Sequence, residues 1–423
     1  MRRHFVEHRD FEVSVATTAE FCVPGIPSLK LKRATWLQRL SNTRFVRFVR
    51  NFELLFYGTL LGSRVLDEAK EFRPDVVFTV ADMTLSEQAR KLAKCLGVPL
   101  VVNFQDWWPR GQFYYTFEKP YFWVRPLLEW RFRRLYREAD LAFCTSEGMK
   151  EFLGPHPNSH VLYPIGASDA EASCPMRVAP EDRRSEIEDR GAATLHTGDR
   201  RWEIRDREAQ GSKLVPSSAT GMALDSGRLT LDAATAKLRK KRLIYTGTAF
   251  GSYGKMLREL ARELEKHDEW ELVIFGNTPD WPKEELERAK EAGLYRGLLK
   301  FEELQRELHE ADACLGVMSF EPELEVMMRT SFTTKMLDYC RIGKPLILWG
   351  PEYCSPIRLA IRAGAGLCVV NNDPNILVDA LKTFDKYIAD NKITKGAKYL
   401  SKNDLNHSCI HNVLVSNIVA VVR

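Results

Sequence analysis

The stretch Ser331–Gly350 holds the residue types most suited to chemistry in this chain. Ser331, Thr333 and Thr334 stand where a helix would begin, and hydroxyl side chains of this kind cap helix N-termini. Lys335 adds a positive charge in the first turn, and Asp338 follows three positions later on the same face. Free N–H groups, hydroxyls and an ammonium at a helix start make a site for phosphate. A carboxylate one turn further on can accept from two ribose hydroxyls. An ordinary capped surface helix with a Lys–Asp pair accounts for the same residues. A second group, Gln105-Asp106-Trp107-Trp108-Pro109, follows an apolar run at Pro99–Phe104. Asp106 at that place would face a cleft as an acceptor contact or general base. Trp107 and Trp108 would offer flat apolar faces to a sugar or lipid. The alternative is an Asp that ends the strand beside tryptophans that pack the domain.

The elements that must hold these groups are legible as two blocks of alternating strand and helix. In the first, apolar runs at Phe11–Ala16, Asp75–Val80, Pro99–Phe104 and Leu141–Thr145 are separated by helical stretches such as Ser86–Leu96 and Pro126–Glu138. In the second, Arg242–Thr246, Glu271–Phe275, Ala313–Met318, Pro345–Trp349 and Leu367–Val370 alternate with helices near 254–266, 282–292, 302–310, 333–341 and 355–363. Short apolar runs without alternation, each followed by an amphipathic helix, predict parallel sheets covered on both faces. The expected class is therefore α/β, with two doubly wound Rossmann-like domains whose ligand crevice lies beyond the carboxyl ends of the strands. Gly343 and Pro345 end the Lys335 helix before its strand.

The expected domains are residues 1–166 and 242–395, with a closing helical segment at 396–423. Between them, residues 167–241 contain no Phe or Tyr and one Trp, Trp202. Charged clusters such as EDRRSEIEDR dominate there. Such a segment buries too little apolar surface to offset its ordering entropy, so a disordered insertion is expected.

Composition fits this reading. A chain of 423 residues is too long for one core, and 44% hydrophobic residues suffice for two. No apolar run reaches 18 residues, and MRRHFVEHRDFEV lacks the core of a signal peptide. The nine cysteines show no CxxC or Cys/His spacing, and Cys95, Cys144, Cys314 and Cys340 lie in apolar patterns. They are expected to be buried thiols of a cytoplasmic protein, with no disulfide and no metal. A net charge of +5 does not by itself imply nucleic acid.

Four stretches resemble the GT-B-fold glycosyltransferases, in particular the family 4 group that uses nucleotide sugars. They are RPDVVFTV with LAKCLGVPLVVNFQDWWP, READLAFCTSEGMKEFL with VLYPIG, KRLIYTGTAFGSYGKML with WELVIFG, and ELHEADACLGVMSF with SFTTKMLDYCRIGKPLIL. The resemblance implies that Gly247 and Thr248 approach the donor diphosphate and that Gly276 passes near the base. It makes Ser331, Thr333, Thr334 and Lys335 phosphate contacts and Asp338 the ribose acceptor. Many relatives carry an E-x7-E pair here. Asp338 stands at its second position, but its first falls on Thr330. Glu321, Glu323 and Glu325 are the nearby acids that could substitute, Glu325 as a candidate substrate contact, or that loop is a solvated acidic rim. Where relatives carry His-Asp, this chain has Gln105-Asp106, so no histidine role transfers. The resemblance further implies a retaining, metal-independent transfer without a cofactor, in which Lys335 stabilises the leaving diphosphate.

In that fold a first strand and a glycine-rich loop precede the helix leading into the strand that matches Phe11–Ala16. This chain starts at about that helix, so a first domain without its first strand is expected. A sugar-nucleotide epimerase of the same fold, or an inactive nucleotide-sugar-binding relative, are the competing readings. Lys30–Arg50 carries seven cations and no acid, with Phe45, Phe48, Val49 and Phe52 on one helical face. A second basic aromatic stretch is YFWVRPLLEWRFRRLYR. Together, 30–56 and 121–138 predict peripheral attachment to an anionic membrane, or else a core-facing stripe with a solvated basic face.

Overall fold

The structure is a computed structural model that describes residues 2–18, 21, 23–31, 34–109, 120–166, 239–389 and 392–423. The expected insertion at 167–241 falls almost wholly outside the described residues. Twelve strands are described. They are β1 (Val15–Thr17), β2 (Ser28–Lys30), β3 (Val77–Val80), β4 (Leu100–Phe104), β5 (Leu141–Cys144), β6 (Ser159–Val161), β7 (Lys241–Gly247), β8 (Trp270–Gly276), β9 (Tyr295–Gly297), β10 (Ala313–Val317), β11 (Leu346–Trp349) and β12 (Leu367–Val369).

The second domain has a six-stranded parallel sheet in the order β12-β11-β10-β7-β8-β9. Its central strands read as unbroken apolar runs because helices cover both faces. Leu243, Ile244, Tyr245, Cys314, Leu315, Leu346 and Ile347 are all fully buried. The helices include Ser252–Leu264, Lys283–Glu291, Phe301–Glu310, Lys335–Ile342 and Ser355–Ala363. Strand order reverses between β7 and β10, as in a doubly wound fold.

The first domain has a four-stranded parallel sheet, β3-β4-β5-β6, flanked by the helices Leu85–Leu96 and Arg125–Glu138. Among the described residues β3 is the edge strand of this sheet and pairs with β4 alone. The run Phe11–Ala16 departs from expectation. Its only strand, β1, pairs with β2 in a separate two-stranded ribbon outside the sheet. Instead, Phe5 packs edge-on against Phe78 of β3 at 5.2 Å, and Phe11 lies against Phe5. Cys144, Cys314 and Cys340 are buried as expected, but Cys95 is exposed, because the helix Leu85–Leu96 turns that position away from the sheet.

The two domains are locked at several points. Ser146 caps the helix Glu147–Leu153 by accepting from Met149 N at 3.0 Å. The same hydroxyl donates to Thr330 O of the second domain at 2.7 Å, and Ser355 Oγ donates to it at 3.0 Å. Arg358 meets Glu151 through two bonds of 2.6 and 2.7 Å. The expected closing segment is two helices, Lys392–Lys402 and His407–Val422. The second returns towards the first domain and buries Ile410, Leu414 and Ile418 in a core shared by both domains. Among the described residues no single helix is long and apolar enough to cross a membrane.

Candidate functional site

The reversal of strand order places a crevice beyond the carboxyl ends of β7 and β10, where open α/β sheets bind ligands. Strand β7 ends at Gly247, which pairs with Gly276 at the end of β8. Gly247 has φ +111°, and a Cβ there would lie 3.0 Å from Lys335 Nζ and nearer still to its Cε. Gly276 has φ +156°, and a Cβ there would lie 2.7 Å from the carbonyl carbon of Gly247. Neither position accepts a side chain without displacement. The bare turn lets Lys335 lie directly over it.

Lys335 Nζ donates to Tyr245 Oη at 2.8 Å and sits 4.2 Å from the centroid of the same ring. The ring of Tyr253 is 5.8 Å away. Tyr245 is fully buried in β7, and burial holds its phenol well above the usual range, so the hydroxyl stays protonated. It donates onward to Thr248 O, tying the turn to the ammonium. Tyr339 makes a comparable tie from within the helix. Its hydroxyl accepts from Thr246 N at 3.0 Å and lies 2.9 Å from Thr246 Oγ1. Sequence reasoning missed both tyrosines. Their signal was a polar-tipped aromatic inside an otherwise buried strand, KRLIYTG, and inside a helix face that packs the core.

The helix begins at Lys335, two residues later than expected, with Thr334 as N-cap and no side chain capping its first turn. Thr334 is exposed and Thr333 half-buried at this mouth. Ser331 lies outside the N-cap and ends the preceding helix Glu325–Thr330. Its hydroxyl donates to Asp106 Oδ1 at 3.2 Å. The carboxylate beyond β4 and the loop before the Lys335 helix therefore meet, 225 residues apart in sequence. Asp338 is half-buried, 3.8 Å from Arg341. Burial pushes its carboxyl up, while Arg341 and Arg3 pull it down.

Other candidates fall elsewhere. Trp107 is fully buried, edge-on to Phe132 at 5.1 Å and Phe152 at 4.8 Å, so it packs the first domain and offers no face to a ligand. Trp108 is half-buried against the same core. Glu325 pairs with Arg329 at 2.9 Å. Thr330 is fully buried with its hydroxyl donated to Val326 O at 2.7 Å, so the first position of the E-x7-E pattern holds no acid here.

The two basic aromatic stretches converge on one surface. Asn51 Oδ1 accepts from Tyr121 N at 3.0 Å, and Arg131 donates to Leu54 O and Leu55 O at 3.0 and 2.9 Å. Phe45, Phe48, Phe56, Phe122 and Trp123 are all more than half exposed on it, with Arg44 over Phe45 and Arg47 over Tyr121. Val49 departs from the expected face. It is buried, so the helix Val46–Leu55 turns Val49 inward and Phe48 outward.

Residues 7–163 match the model of the glycosyl transferase 4-like domain. No curated protein matches the chain significantly. The fold is shared with solved structures at low identity. The Anabaena Alr3699/HepE complex with UDP-glucose is 10% identical, with a TM-score of 0.53, covering 96% of this chain and 91% of that one. A glycosyltransferase from Rickettsia africae ESF-5 is 10% identical, with a TM-score of 0.57 and coverage of 97% and 90%. WaaG, a glycosyltransferase involved in lipopolysaccharide biosynthesis, is 12% identical, with a TM-score of 0.50 and coverage of 98% and 95%. The resemblance to family 4-like GT-B glycosyltransferases read from the sequence is borne out.

Proposed function

We propose that this chain, whose residues 7–163 match a glycosyl transferase 4-like domain, moves a sugar from a nucleotide-sugar donor to a glycan or lipid-linked acceptor. The observation that carries the reading is Lys335. Its ammonium is held by Tyr245 over a bare glycine turn, at the switch point of the second sheet and beside an uncapped helix start. That arrangement suits a diphosphate, whose charge grows as the sugar leaves. UDP and UDP-glucose occupy the related Alr3699/HepE structures, which favours a uridine donor. Ser331, Thr333 and Thr334 line the phosphate side, Gly276 the base side, and Asp338 the ribose side.

In the transfer, the bond from the sugar's anomeric carbon to the diphosphate oxygen breaks and its electron pair goes to the diphosphate. The acceptor oxygen forms the new bond, held by Asp106. With retention of configuration the acceptor proton passes to the departing phosphate; with inversion Asp106 takes it as base. We assign retention, on the family resemblance, and assign the charge stabilisation to Lys335 and backbone amides without a metal. The exposed Phe45, Phe48, Phe122 and Trp123 among arginines favour a cytoplasmic protein attached to an anionic membrane face, next to a lipid-linked acceptor.

One observation favours a second reading, a nucleotide-sugar-binding relative without turnover: Thr330 is buried where relatives place a carboxylate. Incubating the full chain with UDP-sugars and anionic vesicles carrying candidate lipid acceptors, and measuring released UDP, separates the two. Release that disappears in Lys335→Ala supports transfer. Tight donor binding with no release under any acceptor supports the second reading.

A further inference from the structure

Four histidines and two carboxylates from opposite ends of the chain meet in one cluster. His4, Glu7, His8 and Asp10 come from the N-terminal segment, and His407 and His411 from the helix His407–Val422. Residues four apart share one face of a helix, so His407 and His411 point the same way. His411 Nε2 lies 2.8 Å from Asp10 Oδ2, and its Nδ1 lies 3.1 Å from His4 Nδ1. The His8 ring stacks on His411 with centroids 3.6 Å apart, and on His407 at 5.2 Å. His407 Nε2 is 3.2 Å from Glu7 Oε2. The Nε2 of His8 is shielded from solvent and makes no hydrogen bond. A buried nitrogen without a partner is costly, and a metal ion is one group that would satisfy it.

We propose that His8, Asp10 and His411 form a site for a divalent transition ion, with Zn²⁺ the best fit, which staples the N-terminal segment to the closing helix. The three ligand atoms lie within 4.8 Å of one another. A tetrahedral ion with bonds of about 2.0–2.1 Å needs them roughly 3.4 Å apart. Binding therefore opens the His411–Asp10 hydrogen bond slightly and turns the His8 ring out of its stack. Two imidazoles and one carboxylate suit zinc, nickel or copper better than magnesium or calcium. His4 contacts the other nitrogen of His411, the place of the outer partner that fixes the tautomer of a metal-bound histidine. The N-terminal segment reaches β3 through Phe5 on Phe78, so the staple fixes the uncovered side of the first sheet. This inference does not depend on the transferase reading.

The full chain, stripped with chelator and dialysed, is titrated with Zn²⁺ by calorimetry, and with Co²⁺ by visible absorption. The expected result is one ion per chain, the bands of a tetrahedral Co²⁺ site, and a melting temperature that rises with Zn²⁺ concentration. His8→Ala and Asp10→Asn should each lower Zn²⁺ affinity by at least about tenfold while the metal-free melting temperature stays close to that of the parent. His4→Ala should lower affinity by about 10–100-fold as an outer-shell change. No saturable binding would overturn the proposal. So would binding that His8→Ala and Asp10→Asn leave unchanged, which would place the ion on other histidines.

Discussion

Gly247 and Lys335 should be coupled, and a double-mutant cycle reads the coupling directly. A methyl group at Gly247 would lie 3.0 Å from Lys335 Nζ and closer to Cε, so the side chain must leave its place over the turn. It would also force an alanine to φ +111°, a conformation that costs an L-residue about 1–2 kcal/mol. The strain lowers stability in any background. The displacement matters only while Lys335 is present. A charge-assisted bond from the ammonium to phosphate is worth about 1.5–3 kcal/mol, so Lys335→Ala should weaken UDP binding roughly 10–150-fold. Gly247→Ala alone should lose most of that, about tenfold or more. In the Lys335→Ala background the same methyl should cost less than about threefold, a coupling of roughly 1–2 kcal/mol. Calorimetric titration of UDP against the four proteins measures each corner, and thermal melts track the strain separately. Losses that add within about 0.5 kcal/mol would refute the idea that Gly247 acts by seating Lys335.

Trp107→Ala removes a fully buried indole from the first domain and should cost about 3–5 kcal/mol, lowering the melting temperature by on the order of 10 °C; an unchanged melt would contradict its place in the core. Phe48→Ser with Phe122→Ser removes two exposed rings and should weaken partitioning to anionic vesicles by about 1–2 kcal/mol per ring, while leaving the affinity for UDP as it was. Vesicle binding equal to the parent's would discard the membrane face. Burial pushes the thiols of Cys144, Cys314, Cys340 and Cys354 up to about 12, whereas Cys95 and Cys409 are exposed. Among the described cysteines, a thiol reagent at pH 8 should therefore modify Cys95 and Cys409 first, and peptide mapping shows the order. Ser331→Ala removes the bond to Asp106 and should change acceptor KM more than donor affinity; the reverse split would move Ser331 wholly to the phosphate side.

The second domain was legible because its strands are buried on both faces and so read as apolar runs of the right length, each bounded by a Gly, Pro or Asp signal. The helix carrying Lys335 was legible from the same punctuation, though its start shifted from 333 to 335 because Thr333 and Thr334 close the loop and do not cap the turn. The first domain was less so. Phe11–Ala16 has the composition of a buried strand, but Phe5 packs on Phe78 of β3 and Phe11 on Phe5, and no backbone pairing joins this run to β3 among the described residues. Trp107 and Trp108 could not be told from ligand platforms, since an aromatic after a strand looks alike whether it turns inward or outward. The histidine cluster joins residues 4–10 to 407–411 and has no local spacing to reveal it.

One hydroxyl links the two halves of the candidate site. Ser331 has a single proton, and it is given to Asp106. On the proposed reading, a phosphate drawn to the mouth of the Lys335 helix would compete for that proton, so donor binding would loosen the hold of Ser331 on Asp106. Other contacts tie the two domains together as well, between Ser146 and both Thr330 and Ser355 and between Arg358 and Glu151. On the proposed reading the site is two halves joined by this hydrogen bond, and loading the donor half would weaken it.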